Sequence, residues 1–192
     1  MDFTLSEEQL LLINTIRAMG KRENFKQLAE DIDASAKLPQ ALMDRFAEMG
    51  FLGMTLSSAY GGGAQPALNA LITIEELAKF SPMIAAPVFE SSVGAVRVID
   101  IFGSEEHKRA IIPGVCRGEY SVSVCMTEPG AGSDLTALAT NIVEDGDELI
   151  LNGRKAFITG GGHASHYLVY ARYKDVPGYK GICGVLVEKG AP

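Results

Sequence analysis

Hydrophobic and polar residues follow two different periods along this chain, and the change falls near residue 119. Before it, apolar positions recur every three or four residues, the period of an α-helix. After it, short runs rich in β-branched and aromatic residues are separated by turns with Gly, Asp or Pro, as in strands. We therefore predict an α+β fold, in which an N-terminal all-helical bundle (residues 1–118) precedes a partial antiparallel β-barrel or sheet domain (residues 119–192).

Local signals predict where these elements begin and end. Ser6 and Gln9 fit a capping box at the first helix, and Ser104 is placed to cap the last one. Pro82 and Pro87 mark the entry to an apolar helix, and Pro113 is expected to end the final helix. Strands are predicted at residues 120–126, 149–152, 155–159, 167–172 and 182–187, and residues 152–153 (NG) carry the strongest hairpin signal.

Composition and charge narrow the function classes. The chain has 192 residues, with 17 basic against 24 acidic side chains, so its net charge is −7. That balance argues against nucleic acid or anionic lipid as a partner. Three cysteines without CxxC spacing favour neither a disulfide framework nor a structural zinc site. The first residues are acidic and polar, and the sequence has no long uncharged apolar stretch. We therefore expect a cytoplasmic protein that does not cross a membrane.

Residues 126–134 form the densest motif that could carry chemistry. They follow the first predicted strand and combine short polar side chains with two glycines and a proline: Thr127, Pro129, Gly130, Gly132, Ser133 and Asp134. The glycines permit unusual torsions and close approach of a ligand, so two interpretations stay open, a tight turn at a strand end and an anion-binding loop. A Rossmann fingerprint is excluded because Leu135 replaces its third glycine and no βαβ unit follows.

Six segments, met in order along the chain, carry a family resemblance. They are residues 3–9 (FTLSEEQ), 60–62 (YGG), 103–108 (GSEEHK), 127–134 (TEPGAGSD), 151–155 (LNGRK) and 157–159 (FIT). On these segments the chain resembles the first half of the acyl-CoA dehydrogenase flavoproteins, namely their helical N-terminal domain and part of their middle β domain.

The resemblance implies a binding site for FAD. Thr127 and nearby main chain would bond the pyrimidine edge of the flavin, Phe157 would pack on its ring, and Thr159 would face its N5 region. Ser133 would bond the pyrophosphate and lie beside the CoA part of the substrate. The implied cofactor-contacting set is Val124, Met126, Thr127, Gly132, Ser133, Phe157, Ile158 and Thr159. Many family members have Trp at the Phe157 position and Tyr at the Val124 position, so two contacts differ here.

The resemblance also implies an activity, α,β-dehydrogenation of an acyl-CoA thioester (or the reverse reduction) with hydride transfer to FAD. Acyl-CoA and an electron-transfer flavoprotein would be its partners, and the complete protein is expected to be a homo-oligomer. The family's catalytic glutamate is expected beyond Pro192, so we predict no catalytic residue here, weak FAD binding and no turnover by these residues alone. Two alternatives stay open: a non-catalytic subunit or binding module that needs a partner chain, and an oxygen-using oxidase or monooxygenase on the same fold.

Three carboxylates within the chain are candidate acid–base groups. Glu75 and Glu76 are adjacent on a predicted helix and point about 100° apart, so a solvated role is expected for both. Glu90 lies in an apolar helix, where we expect a rim position or neutralisation by a cation such as Arg97.

The remaining candidates are two histidines and one cysteine. His163 and His166 have HxxH spacing, but no further ligand stands at matching distance, so surface histidines are favoured over a metal site. Cys125, next to the glycine-rich motif, is expected to be a buried apolar residue rather than a nucleophile.

Overall fold

The computed structural model describes residues 4–174 and 176–191, so Phe3 of the first matching segment and Pro192 lie outside the described residues. The chain divides into two compact units, Met1–Tyr120 and Ser121–Pro192. The first is helical and the second is built on one sheet, which confirms the predicted α+β class.

The described residues of the first unit form seven α-helices. They are α1 (Glu7–Arg22), α2 (Phe25–Ser35), α3 (Gln40–Glu48), α4 (Ala67–Ala78), α5 (Pro82–Ser92), α6 (Ala95–Phe102) and α7 (Glu105–Cys116), with a 3₁₀ turn at Ser58–Tyr60. The predicted capping box is present: the Gln9 amide donates to Ser6 Oγ (3.2 Å) and the Ser6 amide donates to Gln9 Oε1 (3.0 Å). Ser104 Oγ likewise accepts the His107 amide at 3.2 Å.

The two proline predictions need correction. Pro87 lies inside α5 and Pro113 lies inside α7, which runs on to Cys116. A proline removes only one N–H from a helix, and the buried side chains around each proline supply packing that offsets this loss. The break in the apolar stretch falls instead at Gly94, where a Cβ would lie 3.0 Å from the Glu90 backbone.

Aromatic rings form the centre of the helical core. Phe25 meets Phe46 and Phe80 edge to face, with ring centroids 6.5 and 5.6 Å apart. The Phe80 ring lies where a side chain at Gly20 of α1 would be, since an added Cβ would be 2.4 Å from it. Glycine at position 20 therefore permits the close approach of α1 to this ring.

A buried carboxylate with two half-exposed cationic partners joins α1 to α4. The side chain of Glu76 is 4% exposed and accepts from Arg17 Nε (2.7 Å), Arg17 Nη2 (2.9 Å) and Lys79 Nζ (2.5 Å). Hydrogen bonds from Arg17, aided by Lys79, lower the pKa of Glu76 despite burial. The solvated role expected for Glu76 is therefore wrong, whereas Glu75 is exposed and only pairs with Lys79 at the surface.

The described residues of the second unit form five strands. They are β1 (Val122–Cys125), β2 (Asn141–Asp145), β3 (Glu148–Asn152), β4 (His166–Tyr173) and β5 (Ile182–Glu188). The central strand, β4, pairs in parallel with β1 and β2 and antiparallel with β5, and β2 and β3 form an antiparallel hairpin. The sheet is mixed, not wholly antiparallel as predicted, because residues 126–165 supply the long crossover that parallel pairing of β1 with β4 requires.

Two local strand predictions are wrong. The hairpin turn lies at Gly146-Asp147, where Gly146 has φ +63°, and not at residues 152–153. Gly153 instead packs against Thr140, whose hydroxyl would be 2.2 Å from a Cβ there. Residues 155–159 form no strand, because Phe157 has φ +55° and the Ala156 amide donates to the Thr127 carbonyl in the loop after β1.

We predict that Glu76→Gln lowers the free energy of unfolding by about 2 kcal/mol, because a neutral amide replaces a buried carboxylate that accepts hydrogen bonds from two cations, while the half-exposed Arg17 and Lys79 side chains stay solvated. Chemical denaturation of the purified protein measures this, with Glu75→Gln as the control. The exposed control should change stability by less than about 0.5 kcal/mol. Equal small effects of both substitutions would contradict the structural role of Glu76.

Candidate cofactor site

The glycine-rich motif begins as a tight turn at the end of β1. Glu128 and Ala131 exchange two backbone hydrogen bonds, of 2.9 and 3.2 Å, across Pro129 and Gly130. The local structure is therefore the strand-end turn, and whether it also serves a ligand depends on the groups that surround it. Asp134 is used locally, since its Oδ1 accepts the Thr136 amide (3.1 Å) and hydroxyl (2.6 Å) and so caps a 3₁₀ turn.

A buried ion pair lies inside this loop. Lys155 Nζ donates to Glu128 Oε1 (2.8 Å) and to the Met126 carbonyl (3.0 Å), and the two side chains are 10% and 6% exposed. The amides of Ala139 and Thr140 also donate to the carboxylate, at 2.7 and 2.9 Å. Burial opposes ionisation of Glu128, but the Lys155 ammonium and these donors outweigh it and lower its pKa to about 2.

Residues 155–159 lie alongside the end of β1. The Ala156 amide donates to the Thr127 carbonyl (2.9 Å), and Ser123 Oγ donates to the Thr159 carbonyl (2.6 Å). These two anchors bring together the two groups of predicted site residues, which are separated in sequence: Val124, Met126 and Thr127 on one side, and Phe157, Ile158 and Thr159 on the other.

Phe157 is held in an unusual conformation. Its φ is +55°, a left-handed conformation that is unfavourable for a residue with a Cβ, and its side chain is 94% exposed. An exposed aromatic ring on a strained backbone offers a free face for stacking. Ser133 and Thr159 are also exposed, and their hydroxyls have no hydrogen-bond partner among the described residues.

The two motif glycines leave open space beside the loop. Neither Gly130 nor Gly132 has a positive φ, so the left-handed conformation that glycine permits is not used here. Nothing lies within 4 Å of a Cβ built on either residue, so the space above them is open to a ligand. The exposed Phe157 ring suits the flavin ring of FAD, and the unbonded hydroxyls of Ser133 and Thr159, with the open space at the glycines, suit its polar and phosphate groups.

A pocket of about 470 Å³ lies on another side of the loop. Glu128, Gly130, Thr140 and Arg154 are among the residues that line it, whereas Ser133, Phe157 and Thr159 are not. The residues predicted to hold the flavin therefore form an open surface of this unit rather than part of the pocket.

The pairing expected for Glu90 with a cation such as Arg97 is wrong. Its carboxyl is half-buried on α5 and has no hydrogen bond or ion pair with any described residue. Arg97 does not neutralise it, because Arg97 bonds Asp100 and the Thr55 carbonyl. Burial raises the pKa of Glu90 to about 7.

The histidine and cysteine predictions have mixed outcomes. His166 is 8% exposed within β4, so the prediction that it lies at the surface is wrong, and burial lowers its pKa. His163 lies in the exposed loop before β4. Cys125 is 4% exposed, which confirms that it is buried. Within residues 4–174 and 176–191, no group of three or more His, Cys, Asp or Glu is arranged to hold a metal ion.

Comparisons with known proteins identify the family. The sequence profile described as "Acyl-CoA dehydrogenase, N-terminal domain" matches residues 6–119, and "Acyl-CoA dehydrogenase, middle domain" matches residues 123–192. The chain belongs to the acyl-CoA dehydrogenase family, which confirms the resemblance seen in the sequence. No helix in the described part of the chain is long and apolar enough to cross a membrane.

Individual relatives agree with this assignment. Mitochondrial isobutyryl-CoA dehydrogenase of Dictyostelium discoideum is 40% identical over 171 residues, which cover 89% of this chain and 41% of the relative. A chain in the structure titled "Electron transferring flavoprotein of Acidaminococcus fermentans: Towards a mechanism of flavin-based electron bifurcation" is 32% identical, with TM-score 0.89, covering 100% of this chain and 50% of that one. Glutaryl-CoA dehydrogenase of Mycobacterium smegmatis, in complex with FADH2, is 29% identical with TM-score 0.88, at 98% and 47% coverage. The chain thus spans about half the length of the relatives it matches.

Sequence reasoning missed the roles of Glu128 and Lys155. Both residues lie in the segments that carry the resemblance, but nothing in the spacing says that they touch. The sequence offers no signal that singles them out, because Asp134 and Arg154 carry the same charges in the same two segments.

We predict that Glu90→Gln changes how stability depends on pH. The folded-state pKa of about 7 lies above the ordinary value of 4.5, so the neutral carboxyl stabilises the fold below about pH 4.5 and that contribution is lost as the pH rises through 7. The variant should avoid this loss, which amounts to at most about 3 kcal/mol at about 1.4 kcal/mol per pKa unit. Chemical denaturation of the wild type and the variant from pH 5 to 8 measures this loss of stability. Glu106→Gln, at an exposed carboxyl, is the control. If the free energy of unfolding of wild type and Glu90→Gln depends on pH in the same way, the burial of Glu90 is contradicted.

We predict that Phe157→Gly raises the free energy of unfolding without FAD by about 0.5–1 kcal/mol, because glycine removes the left-handed strain and little packing is lost. Phe157→Ala is the matched control, since it removes the ring but keeps the Cβ. Thermal denaturation of the cofactor-free protein compares them. A stability loss for glycine equal to that for alanine would argue against strain at this position.

Proposed function

We propose that the complete protein is an FAD-dependent acyl-CoA dehydrogenase that oxidises the Cα–Cβ bond of an acyl-CoA thioester, or catalyses the reverse reduction. In this proposal residues 1–118 form its N-terminal helical domain and residues 119–192 form part of its flavin-binding β domain. The observation that carries the proposal is the alignment of residues 155–159 beside residues 123–127, which joins the two halves of the expected cofactor site.

The residues of this chain would hold and orient the cofactor. Thr127 and the adjacent main chain would bond the pyrimidine edge, Phe157 would stack on the ring, and Thr159 would place a neutral hydroxyl near N5. Ser133 would bond the pyrophosphate and the CoA side of the substrate, and Val124, Met126, Gly132 and Ile158 would complete the contact surface. FAD would accept the hydride from the β-carbon, while a glutamate beyond Pro192 would take the α-proton.

A short, branched acyl group is the first substrate class to test, because the relative with 40% identity is an isobutyryl-CoA dehydrogenase. The chain's similarity to one from an electron-transferring flavoprotein structure, together with the family assignment, supports such a flavoprotein as electron acceptor. We further propose that the complete protein is a homo-oligomer in the cytoplasm.

We predict that isobutyryl-CoA bleaches the visible flavin absorption of the complete protein under anaerobic conditions, because the substrate reduces the bound flavin. Free isobutyrate is the control, since it lacks the thioester that acidifies the α-proton. Stopped-flow spectrophotometry with a panel of linear and branched thioesters follows the reaction. A flavin unaffected by every thioester would contradict the proposal, and peroxide formed in air during turnover would favour the oxygen-using alternative.

A further inference from the structure

The buried pair of Lys155 and Glu128 is the strongest feature that the proposed function does not use. It does not belong to the exposed surface formed by Ser133, Phe157 and Thr159. It lies within the loop that is proposed to hold the flavin, and it bonds main-chain atoms on both sides of the turn.

This network turns the carbonyls of the loop inward. The Met126 carbonyl accepts the Lys155 ammonium at 3.0 Å, and the Thr127 carbonyl accepts the Ala156 amide at 2.9 Å. Both bonds depend on where residue 155 is held, and the Glu128 carboxylate holds the Lys155 ammonium. The two acceptors nearest to the end of β1 are therefore satisfied within the protein.

The donors of the same two residues remain available. The amides of Met126 and Thr127 and the Thr127 hydroxyl have no hydrogen-bond partner among the described residues. Each of these residues is only partly buried, so a ligand can reach them. The end of β1 thus leaves unbonded hydrogen-bond donors, while its carbonyls are bonded within the protein, and a ligand with hydrogen-bond acceptors suits this arrangement.

We propose that Lys155 and Glu128 are positioning residues that keep the end of β1 as a hydrogen-bond donor site for acceptor atoms of the FAD pyrimidine ring, namely its carbonyl oxygens and unprotonated ring nitrogens. The inference rests on the proposed function. Neither side chain contacts the ligand, and the pair acts through the Met126 and Thr127 peptides. A buried ion pair is a costly way to gain stability alone, since apolar residues of similar size serve as well or better.

The ionisation of Glu128 supports a permanent rather than a switchable role. Its pKa of about 2 keeps the carboxylate charged at any pH at which an enzyme of this class works. Its bonds to the Ala139 and Thr140 amides tie the turn to the start of β2, so the pair is fixed from two directions. We expect the donor edge to be preorganised before the cofactor binds.

Flavin binding by the complete protein tests the inference, using Lys155→Met, Glu128→Gln and, as matched control, Glu76→Gln. Glu76 is an equally buried carboxylate bonded by two cations in the helical unit. FAD is removed and titrated back, with flavin fluorescence as readout, below the melting temperature of every variant. Lys155→Met and Glu128→Gln should each raise the Kd of FAD about tenfold to a hundredfold, which is the scale of one hydrogen bond to a charged group. Both should also shift the absorption spectrum of the flavin that is bound at saturation.

The control separates positioning from general stability. Glu76→Gln should also lower the melting temperature. It should nevertheless leave the Kd of FAD within twofold of the wild-type value and the absorption spectrum of the bound flavin unshifted. If Lys155→Met and Glu128→Gln bind FAD as wild type does, or if Glu76→Gln weakens binding equally, the inference is overturned while the proposed function stands. A wild-type protein that binds no FAD overturns both.

Discussion

The candidate site depends on one interaction, the buried contact between Lys155 and Glu128. It joins segments that lie far apart in the sequence, the turn after β1 and the stretch after β3, and it also bonds the start of β2. An ion pair with so little exposure is stable only when every remaining donor and acceptor is satisfied. Here the Met126 carbonyl accepts a second hydrogen bond from the ammonium, and two backbone amides donate to the carboxylate. The exposed groups around it owe their positions to this buried centre.

Strain and exposure occur together at Phe157. Its backbone is left-handed and its ring is almost fully in solvent, which is unfavourable for a protein without a ligand. The segment keeps this conformation because Ala156 and Thr159 on either side are bonded to Thr127 and Ser123. Backbone strain held by neighbouring anchors is a common property of binding sites, and it is consistent with a ring held ready to stack.

Much of this arrangement was predictable from the sequence. The helical half followed from its 3.6-residue period and from caps such as Ser6, and the glycine-rich motif pointed to the region of the site. Pairing direction was not predictable, because the alternating pattern of a strand is the same in parallel and antiparallel sheets. The hairpin was misplaced because Asn152-Gly153 and Gly146-Asp147 both have turn chemistry, and only packing of Gly153 on Thr140 separates them. Buried charges such as Glu76 and Glu128 were also beyond reach, since exposure is the default for a glutamate until its partners are known.

The central claim is that the end of β1 and residues 155–159 form one FAD-binding surface. Hydrogen–deuterium exchange at the Met126 and Thr127 amides, with and without FAD, tests it most directly, because neither amide is bonded within the described residues. We predict fast exchange without the cofactor and strong protection of both amides when FAD is bound. Bound FAD that leaves both amides exchanging at their original rate would contradict the account.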